Sequence, residues 1–164
     1  MKTIYLAGPD VFEPDPFAAG ETLKQLCTAY GFEGLFPLDN AIEDFDHPHK
    51  TAEAIRQANI DLIRRADIVM ANLNPFRGFE PDSGTVYEVG FAEALGKPVF
   101  AYAADRRHMP ERLRAHQQLA PDDLQCREGK SIESFALSHN LMFAHTVVAE
   151  DARSCLRYIA ERFS

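Results

Sequence analysis

Short apolar runs alternate along this chain with longer stretches in which apolar residues recur every three or four positions. The short runs predict buried β-strands at residues 3–7, 33–37, 67–73, 98–103 and 146–149. The amphipathic stretches predict helices at residues 17–30, 51–65, 85–95 and 151–163. Because strands and helices alternate, we expect an α/β fold: a single-domain, doubly wound parallel sheet of five strands, flavodoxin- or Rossmann-like, with helices on both faces.

Two segments break this alternation. Residues 41–50 are polar and irregular, and residues 104–140 are charged and interrupted by Pro110, Pro121 and Gly129. A long segment without periodicity inside a compact domain is typical of a lid, an interface or a mobile loop. The pattern therefore places no helix or strand between residues 104 and 140.

The composition is that of an acidic, globular chain. With 164 residues, of which 46% are hydrophobic, it is long enough for one domain, residues 1–164, with a full core. The formal net charge of −8 argues against a nucleic-acid backbone as partner, because phosphate binding needs clustered Lys and Arg. It does not argue against a small nucleoside.

The N-terminal residues and the cysteines indicate the cellular compartment in which we expect the protein. The chain leads directly into a strand-like run, so we see no signal peptide, and no apolar run reaches the roughly 20 residues of a membrane span. The three cysteines, Cys27, Cys126 and Cys155, are widely spaced and odd in number, which indicates reduced thiols without a chemical role. We expect a cytoplasmic protein that does not bind membranes.

The segment between the third strand and the next helix, residues 76–90, combines glycines, acids and hydroxyls. Such strand-to-helix junctions are where α/β sheets bind ligands. Glu88 falls about one turn inside the helix, where the helix dipole favours an ionised carboxylate. An ionised carboxylate can attack the anomeric carbon of a sugar, so Glu88 is a candidate nucleophile or general base. The alternative is that Asp82 and Glu88 only cap the helix.

Two further side chains have both a catalytic and a structural interpretation. Asp61 lies beside the apolar positions of a helix; if partly buried, it would have a raised pKa and could hold a proton for a leaving group. Alternatively, it is an exposed acid paired with Arg64 or Arg65. Tyr5, in the first strand, needs a hydrogen-bond partner if it is buried, and is either close to the ligand crevice or simply a core aromatic.

The turn after the first strand, residues 8–12, is not a dinucleotide fingerprint and lacks the lysine and hydroxyl of a phosphate loop. Asp10 and Phe12 could instead bind and stack on a planar base, the alternative being a plain turn. The histidines do not have metal-ligand spacing, and no Gly-x-Ser-x-Gly elbow is present. The sequence therefore supports neither a metal site nor serine hydrolase chemistry.

Several motifs in a fixed order carry a family resemblance. They are Ile-Tyr-Leu-Ala-Gly-Pro at residues 4–9, Pro-Leu-Asp-Asn at 37–40, Ile-Arg-Gln-Ala-Asn-Ile-Asp at 55–61, Ala-Asp at 66–67, Asn-Pro-Phe-Arg-Gly-Phe-Glu-Pro-Asp-Ser-Gly-Thr at 74–85, Tyr-Glu-Val-Gly at 87–90 and Asn-Leu-Met at 140–142. In this order the set resembles the nucleoside 2-deoxyribosyltransferase family. The long central motif looks most like the branch found in trypanosomatid parasites and some bacteria.

The resemblance implies a catalytic group of four residues. Glu88 matches the nucleophile that forms a covalent deoxyribosyl ester, and Tyr5 matches the tyrosine whose hydroxyl orients that carboxylate. Asp61 and Asp82 match acids that hold the sugar and handle the proton on the departing or incoming base.

The resemblance also implies a substrate-binding set, part of which comes from another subunit. Asn140 matches an asparagine that reaches the active site of a neighbouring subunit, so a homo-oligomer is implied. Asp10 and Phe12 lie in the loop that borders the base. The whole expected set is Gly8, Asp10, Phe12, Ser83, Gly84, Asn140 and Met142.

These matches imply an enzyme of purine salvage that transfers 2-deoxyribose from a 2′-deoxynucleoside to an acceptor nucleobase. The transfer would pass through a covalent deoxyribosyl-glutamate, with retention and without cofactor or metal. One alternative is an N-glycosidase of 2′-deoxynucleoside 5′-monophosphates, which would need phosphate-binding serines, with Ser83 and Ser138 as candidates. A phosphoribohydrolase of the cytokinin-activating type shares the Gly-Thr-x-x-Glu spacing of residues 84–88. A non-catalytic nucleoside-binding module would bind without turnover.

Overall fold

The computed structural model describes residues 1–40 and 47–163. Its sheet consists of five parallel strands: β1 (Thr3–Ala7), β2 (Glu33–Leu35), β3 (Ile68–Asn72), β4 (Val99–Tyr102) and β5 (Val147–Ala149). The strand order is β2-β1-β3-β4-β5, the flavodoxin-like order, which confirms the predicted doubly wound sheet. Because the winding reverses between β1 and β3, a ligand crevice is expected at the carboxyl ends of these two strands.

The sheet is covered by helices on both faces. They are α1 (Pro16–Ala29), α2 (Pro48–Arg65), α3 (Ser83–Ala94), α4 (Met109–Gln117) and α5 (Ala152–Phe163). Helix α2 begins before the predicted residue 51, because Pro48 presets the helical φ at the first position. Residues 41–46 of the segment predicted to be irregular lie outside the described residues. Within the described ranges, no helix is long and apolar enough to cross a membrane.

Two apolar layers, one on each face of the sheet, hold these helices. Successive residues of a strand point to opposite faces. Ile4 and Leu6 of β1 therefore pack in the layer that also contains Leu156 of α5, whereas Tyr5 packs in the layer that contains Ile63 of α2. All are almost fully buried. The second layer places the phenol of Tyr5 beneath α2 and α3.

The 104–140 segment contains helix α4, which the sequence pattern did not predict. Arg112 of this helix is buried: its guanidinium donates to the Ser138 carbonyl and lies 4.9 Å from the ring centroid of Phe79. The buried His139 donates from Nε2 to the Leu73 carbonyl at 3.1 Å. These contacts join α4 to the end of the segment and pack the segment against the residues that follow β3.

Candidate active site

A short hydrogen bond joins Glu88 of α3 to Tyr5 of β1. The Tyr5 hydroxyl donates to Glu88 Oε1 at 2.6 Å, although the two residues lie 83 positions apart in the chain. Tyr5 is fully buried and points from the middle of its strand to the α3 face of the sheet. The phenol thus finds the partner that its burial demands, and one carboxylate oxygen of Glu88 is fixed.

Burial changes the acidity of Glu88. It raises the pKa of the carboxyl to about 7, and the nearby charge of Asp82 acts in the same direction, while the Tyr5 hydrogen bond partly offsets both. The helix dipole was expected to keep this carboxylate ionised. In the structure desolvation is the largest effect, so near neutral pH Glu88 exchanges a proton readily, as suits an acid, base or nucleophile in a cleft.

Asp82 begins helix α3. Its Oδ2 accepts from the backbone N–H of Thr85 at 2.9 Å and from the Thr85 hydroxyl at 3.0 Å, which makes it the N-cap of the helix. The capping interpretation is thus correct for Asp82, while its charge also acts on Glu88. A Cβ at Gly84 would lie 3.0 Å from Asp82 Oδ2, so this turn has little room for a side chain. Ser83 is exposed in the same turn.

A cavity of about 460 Å³ opens between α2 and α3 beside Glu88. Its volume lies within the range of about 300–1,000 Å³ that is typical of small-molecule sites. Three α3 residues and one face of α2 line it: Ala52, Ile55, Arg56, Asn59, Ile60, Ile63, Gly84, Tyr87 and Glu88. The wall on the α2 side is mostly aliphatic. Among these lining residues, Glu88 is the single carboxylate.

Asn59 and the pair Arg56–Tyr87 are cavity residues that the sequence analysis did not identify. Among the described residues, the Asn59 Oδ1 is buried without a hydrogen-bond partner. Arg56 donates from Nη2 to the Tyr87 hydroxyl at 2.8 Å and lies over the Tyr87 ring. The sequence signal that could have identified the α2 residues is the spacing of positions 52, 55, 56, 59, 60 and 63, which places them on one face of a helix. That this face borders a cavity depends on the position of α3.

Asp61 lies on another face of α2. Its carboxylate is exposed and accepts from Gln57 Nε2 at 3.0 Å and from Arg64 Nη1 at 3.2 Å. It does not line the cavity that contains Glu88. The expected partial burial is therefore wrong, and the surroundings of Asp61 are those of the alternative, an exposed acid paired with Arg64.

The turn after β1 lies at the carboxyl end of the sheet. A Cβ at Gly8 would come within 2.4 Å of Asp10 Oδ2, and this oxygen accepts from Asn72 Nδ2 at 3.1 Å. Phe12 is half exposed and stacks on Phe76 at 5.1 Å between ring centroids. The turn therefore presents an aromatic surface, but Gly8, Asp10 and Phe12 do not line the α2–α3 cavity.

Asn140 and Met142 also lie apart from this cavity within one chain. Asn140 donates from Nδ2 to Glu133 Oε1 at 2.7 Å, and its Oδ1 accepts from the Met142 backbone N–H at 3.1 Å. The Met142 side chain is 72% exposed. Their expected contribution to a neighbouring subunit stays a prediction.

No metal cluster accompanies the site in the part of the chain that the structure describes. Within residues 1–40 and 47–163, no group of three or more His, Cys, Asp or Glu side chains is placed to hold a metal ion.

Comparison with known proteins gives a consistent assignment. The family model of nucleoside 2-deoxyribosyltransferase matches residues 4–142. An uncharacterized protein of Schizosaccharomyces pombe is 32% identical over 126 residues, which cover 75% of this chain; the match spans 60% of the length of that curated relative.

Two solved structures resemble the whole chain. A 2-desoxiribosyltransferase from Leishmania mexicana is 37% identical, with a TM-score of 0.81 and 100% of both chains covered. A conserved protein from Enterococcus faecalis V583 shares the fold, with 22% identity, a TM-score of 0.62 and 99% of both chains covered. Because the family model spans most of the sequence, the chain belongs to the nucleoside 2-deoxyribosyltransferase family.

Proposed function

We propose that this protein transfers 2-deoxyribose from a 2′-deoxynucleoside to a second nucleobase, with Glu88 as the nucleophile. The observation that carries the proposal is the Glu88 carboxyl, held at 2.6 Å by the Tyr5 hydroxyl beside a cavity of about 460 Å³. Family membership and the similarity to the Leishmania mexicana 2-desoxiribosyltransferase support the same reaction.

The reaction follows from the two oxygens of one carboxylate. Tyr5 holds Oε1, and the other oxygen attacks the anomeric carbon of the bound nucleoside. The bond from this carbon to the base breaks, and its electron pair leaves with the base, which takes up a proton. A second base then attacks the anomeric carbon of the ester, its own proton is lost, and the carboxylate is released. Two inversions give net retention.

The protonation state of Glu88 sets the pH range of this reaction. The nucleophile must be ionised, and its pKa of about 7 means that the ionised fraction grows as the pH rises through neutrality. A carboxylate with a raised pKa is also a better nucleophile than an ordinary one once it is ionised. The Tyr5 hydrogen bond limits the rise in pKa, and thereby keeps enough of the reactive form.

The remaining expected residues have supporting roles in the proposal. For Asp82, at the start of α3, we propose that it binds a sugar hydroxyl and handles a proton on the base, as the family resemblance implies. The other expected binding residues are Gly8, Asp10, Phe12, Ser83, Gly84, Asn140 and Met142. We further propose a cytoplasmic homo-oligomer in which Asn140 completes the site of a neighbouring subunit.

A chromatographic assay tests the transfer. The enzyme is incubated with 2′-deoxyinosine and adenine, and formation of 2′-deoxyadenosine and hypoxanthine is measured. Wild type and Glu93→Gln, the same change on the exposed side of α3, are expected to exchange the base, whereas Glu88→Gln is not. Exchange by Glu88→Gln at the wild-type rate would remove Glu88 from the nucleophile role.

A parallel reaction separates transfer from hydrolysis. It contains 2′-deoxyinosine 5′-monophosphate and no acceptor base. Free hypoxanthine from the monophosphate, without exchange in the first assay, would identify an N-glycosidase instead. Nucleoside binding without turnover in either reaction would identify a binding module.

A further inference from the structure

Asn59 is the polar side chain of the cavity with a buried atom that has no partner within the described residues. Glu88 is paired with Tyr5, and Arg56 is paired with the Tyr87 hydroxyl. The Asn59 Oδ1, by contrast, is buried without a hydrogen bond. A buried amide atom without a partner destabilises the fold, so its retention beside a cavity indicates a partner on the ligand.

The surroundings of Asn59 are suited to a flat, apolar surface. The same face of α2 contributes Ile55, Ile60 and Ile63 to the cavity wall, and the last two side chains are almost fully buried. Aliphatic side chains pack well against the faces of a heteroaromatic ring, but they offer no hydrogen bond to its edge. The amide of Asn59 is the group of this wall that offers both a donor and an acceptor to the edge of a base.

The position of Glu88 brings the base to the cavity that Asn59 and Glu88 share. Glu88 attacks the sugar carbon that carries the base, so the base lies next to Glu88. Two ring nitrogens of a purine, N3 and N7, lie close to this carbon. In adenine and hypoxanthine only N7 has a second hydrogen-bonding group beside it, at position 6, so the N7 edge is the one that can engage both ends of a carboxamide.

A carboxamide offers one donor and one acceptor side by side. Adenine presents the matching pair on this edge, the acceptor N7 and the 6-amino donor, and asparagine forms two hydrogen bonds with it. A 6-oxopurine presents two acceptors, N7 and O6, and leaves the amide oxygen unpaired. Since a site built to hydrogen-bond a ligand discriminates against ligands that lack the group, the two bases are expected to bind differently.

We propose that Asn59 binds the N7 edge of the nucleobase and thereby selects 6-aminopurine over 6-oxopurine deoxynucleosides. This inference rests on the proposed function for the placement of the base. It goes beyond that function because it assigns a base preference to a residue that takes no part in forming the ester.

The test measures binding in a background that cannot turn over the ligand. Binding of 2′-deoxyadenosine, 2′-deoxyinosine and 7-deaza-2′-deoxyadenosine to Glu88→Gln is measured by calorimetry. We expect 2′-deoxyadenosine to bind about tenfold more tightly than either of the others, because each of these lacks one of the two hydrogen bonds. With Asn59→Leu added, the three affinities are expected to agree within about twofold.

Gln57→Leu is the matched control, since Gln57 lies on the same helix and donates to Asp61 outside the cavity. It should preserve the tenfold preference. Asn59→Asp, which keeps the size of the side chain but removes the amide donor, should reduce the preference as Asn59→Leu does. Thermal unfolding of each variant reports on the fold. A purely structural role for Asn59 would weaken all three ligands by the same factor.

Three results would overturn the proposal: no preference in the Glu88→Gln background, an unchanged preference after Asn59→Leu, or no binding of any of the three nucleosides. The proposed function fails separately, through the absence of base exchange by the wild-type enzyme. A tenfold preference that depends on Asn59, in a protein without exchange activity, would support the inference and contradict the transferase reaction.

Discussion

Two regions of this domain bury polar side chains, and they do so in opposite ways. In the 104–140 segment, both ring nitrogens of His139 have partners, Ser138 Oγ at 3.0 Å and the Leu73 carbonyl at 3.1 Å. At the α2–α3 cavity, one Glu88 oxygen is held by Tyr5, and the Asn59 Oδ1 has no partner among the described residues. Hydrogen-bonded burial stabilises a fold, whereas a buried polar atom without a partner in a cavity wall needs another explanation, such as a ligand.

The pKa values of His139 and Glu88 show the same contrast between the two regions. Burial and the charge of Arg112 lower the pKa of His139 to about 4, so this side chain is neutral across the physiological range. Burial raises the pKa of Glu88 to about 7, which places its titration within that range. Both shifts favour the neutral form, but only the group beside the cavity changes its charge where an enzyme works.

Among the substitutions that test this contrast, replacement of Glu88 should change the exchange rate most. Glu88→Gln is expected to lower the rate of base exchange by about 10³-fold or more, because no nucleophile remains. The same variant should be more stable than wild type at pH 8, by on the order of 1–3 kcal/mol. The raised pKa in the folded state means that ionisation of Glu88 costs stability as the pH rises from about 4.5 through about 7.

Chemical denaturation at pH 5 and pH 8 measures this stability difference. At pH 5 the carboxyl is protonated in the folded protein, so the gain from Glu88→Gln should be small. Equal stability of the two proteins at pH 8 would mean that burial does not oppose the charge of Glu88, and that its pKa is ordinary.

Removal of the Tyr5 hydroxyl should give the next largest effect. Tyr5→Phe takes away the hydrogen bond that favours the ionised form of Glu88, worth about 1.5–3 kcal/mol for a charged acceptor. The pKa of Glu88 should rise by about one to two units, and the acid limb of the rate should move to higher pH by the same amount. At pH 7 the rate should fall about fivefold to fiftyfold, because the ionised fraction of Glu88 falls from about one half.

The pH profile of kcat/KM for wild type and Tyr5→Phe, recorded from pH 5 to pH 10, is the measurement. Partial recovery of the rate at high pH is the signature of a shifted ionisation. A rate that falls equally at every pH would instead assign Tyr5 to packing.

His139 is expected to affect stability without affecting chemistry. His139→Phe should lower the free energy of unfolding at pH 7 by about 1–3 kcal/mol, because the Leu73 carbonyl loses its donor. In wild type, stability should also fall as the pH drops below about 6.5, since the unfolded state binds a proton that His139 in the folded state accepts only near pH 4. The variant should lack this part of the acid dependence.

Urea denaturation between pH 4.5 and pH 7.5, together with the exchange assay at low temperature, tests this separation. The exchange rate per folded molecule should change by less than about threefold. A much larger loss of rate in the folded variant would give the 104–140 segment a role in catalysis.

The smallest effect is predicted for Asp61, where the resemblance and the structure point in different directions. Its carboxylate is exposed, on the surface of α2 outside the cavity, and substitutions at such positions change free energies by about 0.5 kcal/mol or less. Asp61→Asn should therefore alter the exchange rate by about twofold at most. A loss of tenfold or more would restore the acid role that the resemblance implies.

The regular part of the fold could be predicted because each element has a clear local signal. Strand β1 matches its predicted bounds, and α3 begins two residues before the predicted start. Helix α4 was missed because its sequence is mostly polar and carries Pro110 near its start, which was interpreted as a breaker. Its stability comes from tertiary contacts, such as Arg112 with Ser138, that no local pattern contains.

The site could be predicted only in part for a related reason. Glu88 and Tyr5 were identified from their elements and from the family motifs, but their contact at 2.6 Å depends on the packing of α3 against β1. Asp61 was a candidate because it lies beside the apolar positions of its helix and matches a family acid, whereas nothing in the local sequence pointed to Asn59. The helix periodicity that separates the two faces of α2 has functional meaning only once the cavity is known.

The most direct test of the central claim is to locate the covalent intermediate. The enzyme is mixed with 2′-deoxyadenosine in the absence of an acceptor base, quenched in acid within the turnover time, digested and analysed by mass spectrometry. We expect the peptide containing Glu88 to carry one deoxyribosyl group, fragmentation to place the group on Glu88, and added hypoxanthine to remove it. A deoxyribosyl group on another residue, or active base exchange without any labelled peptide, would contradict the central claim.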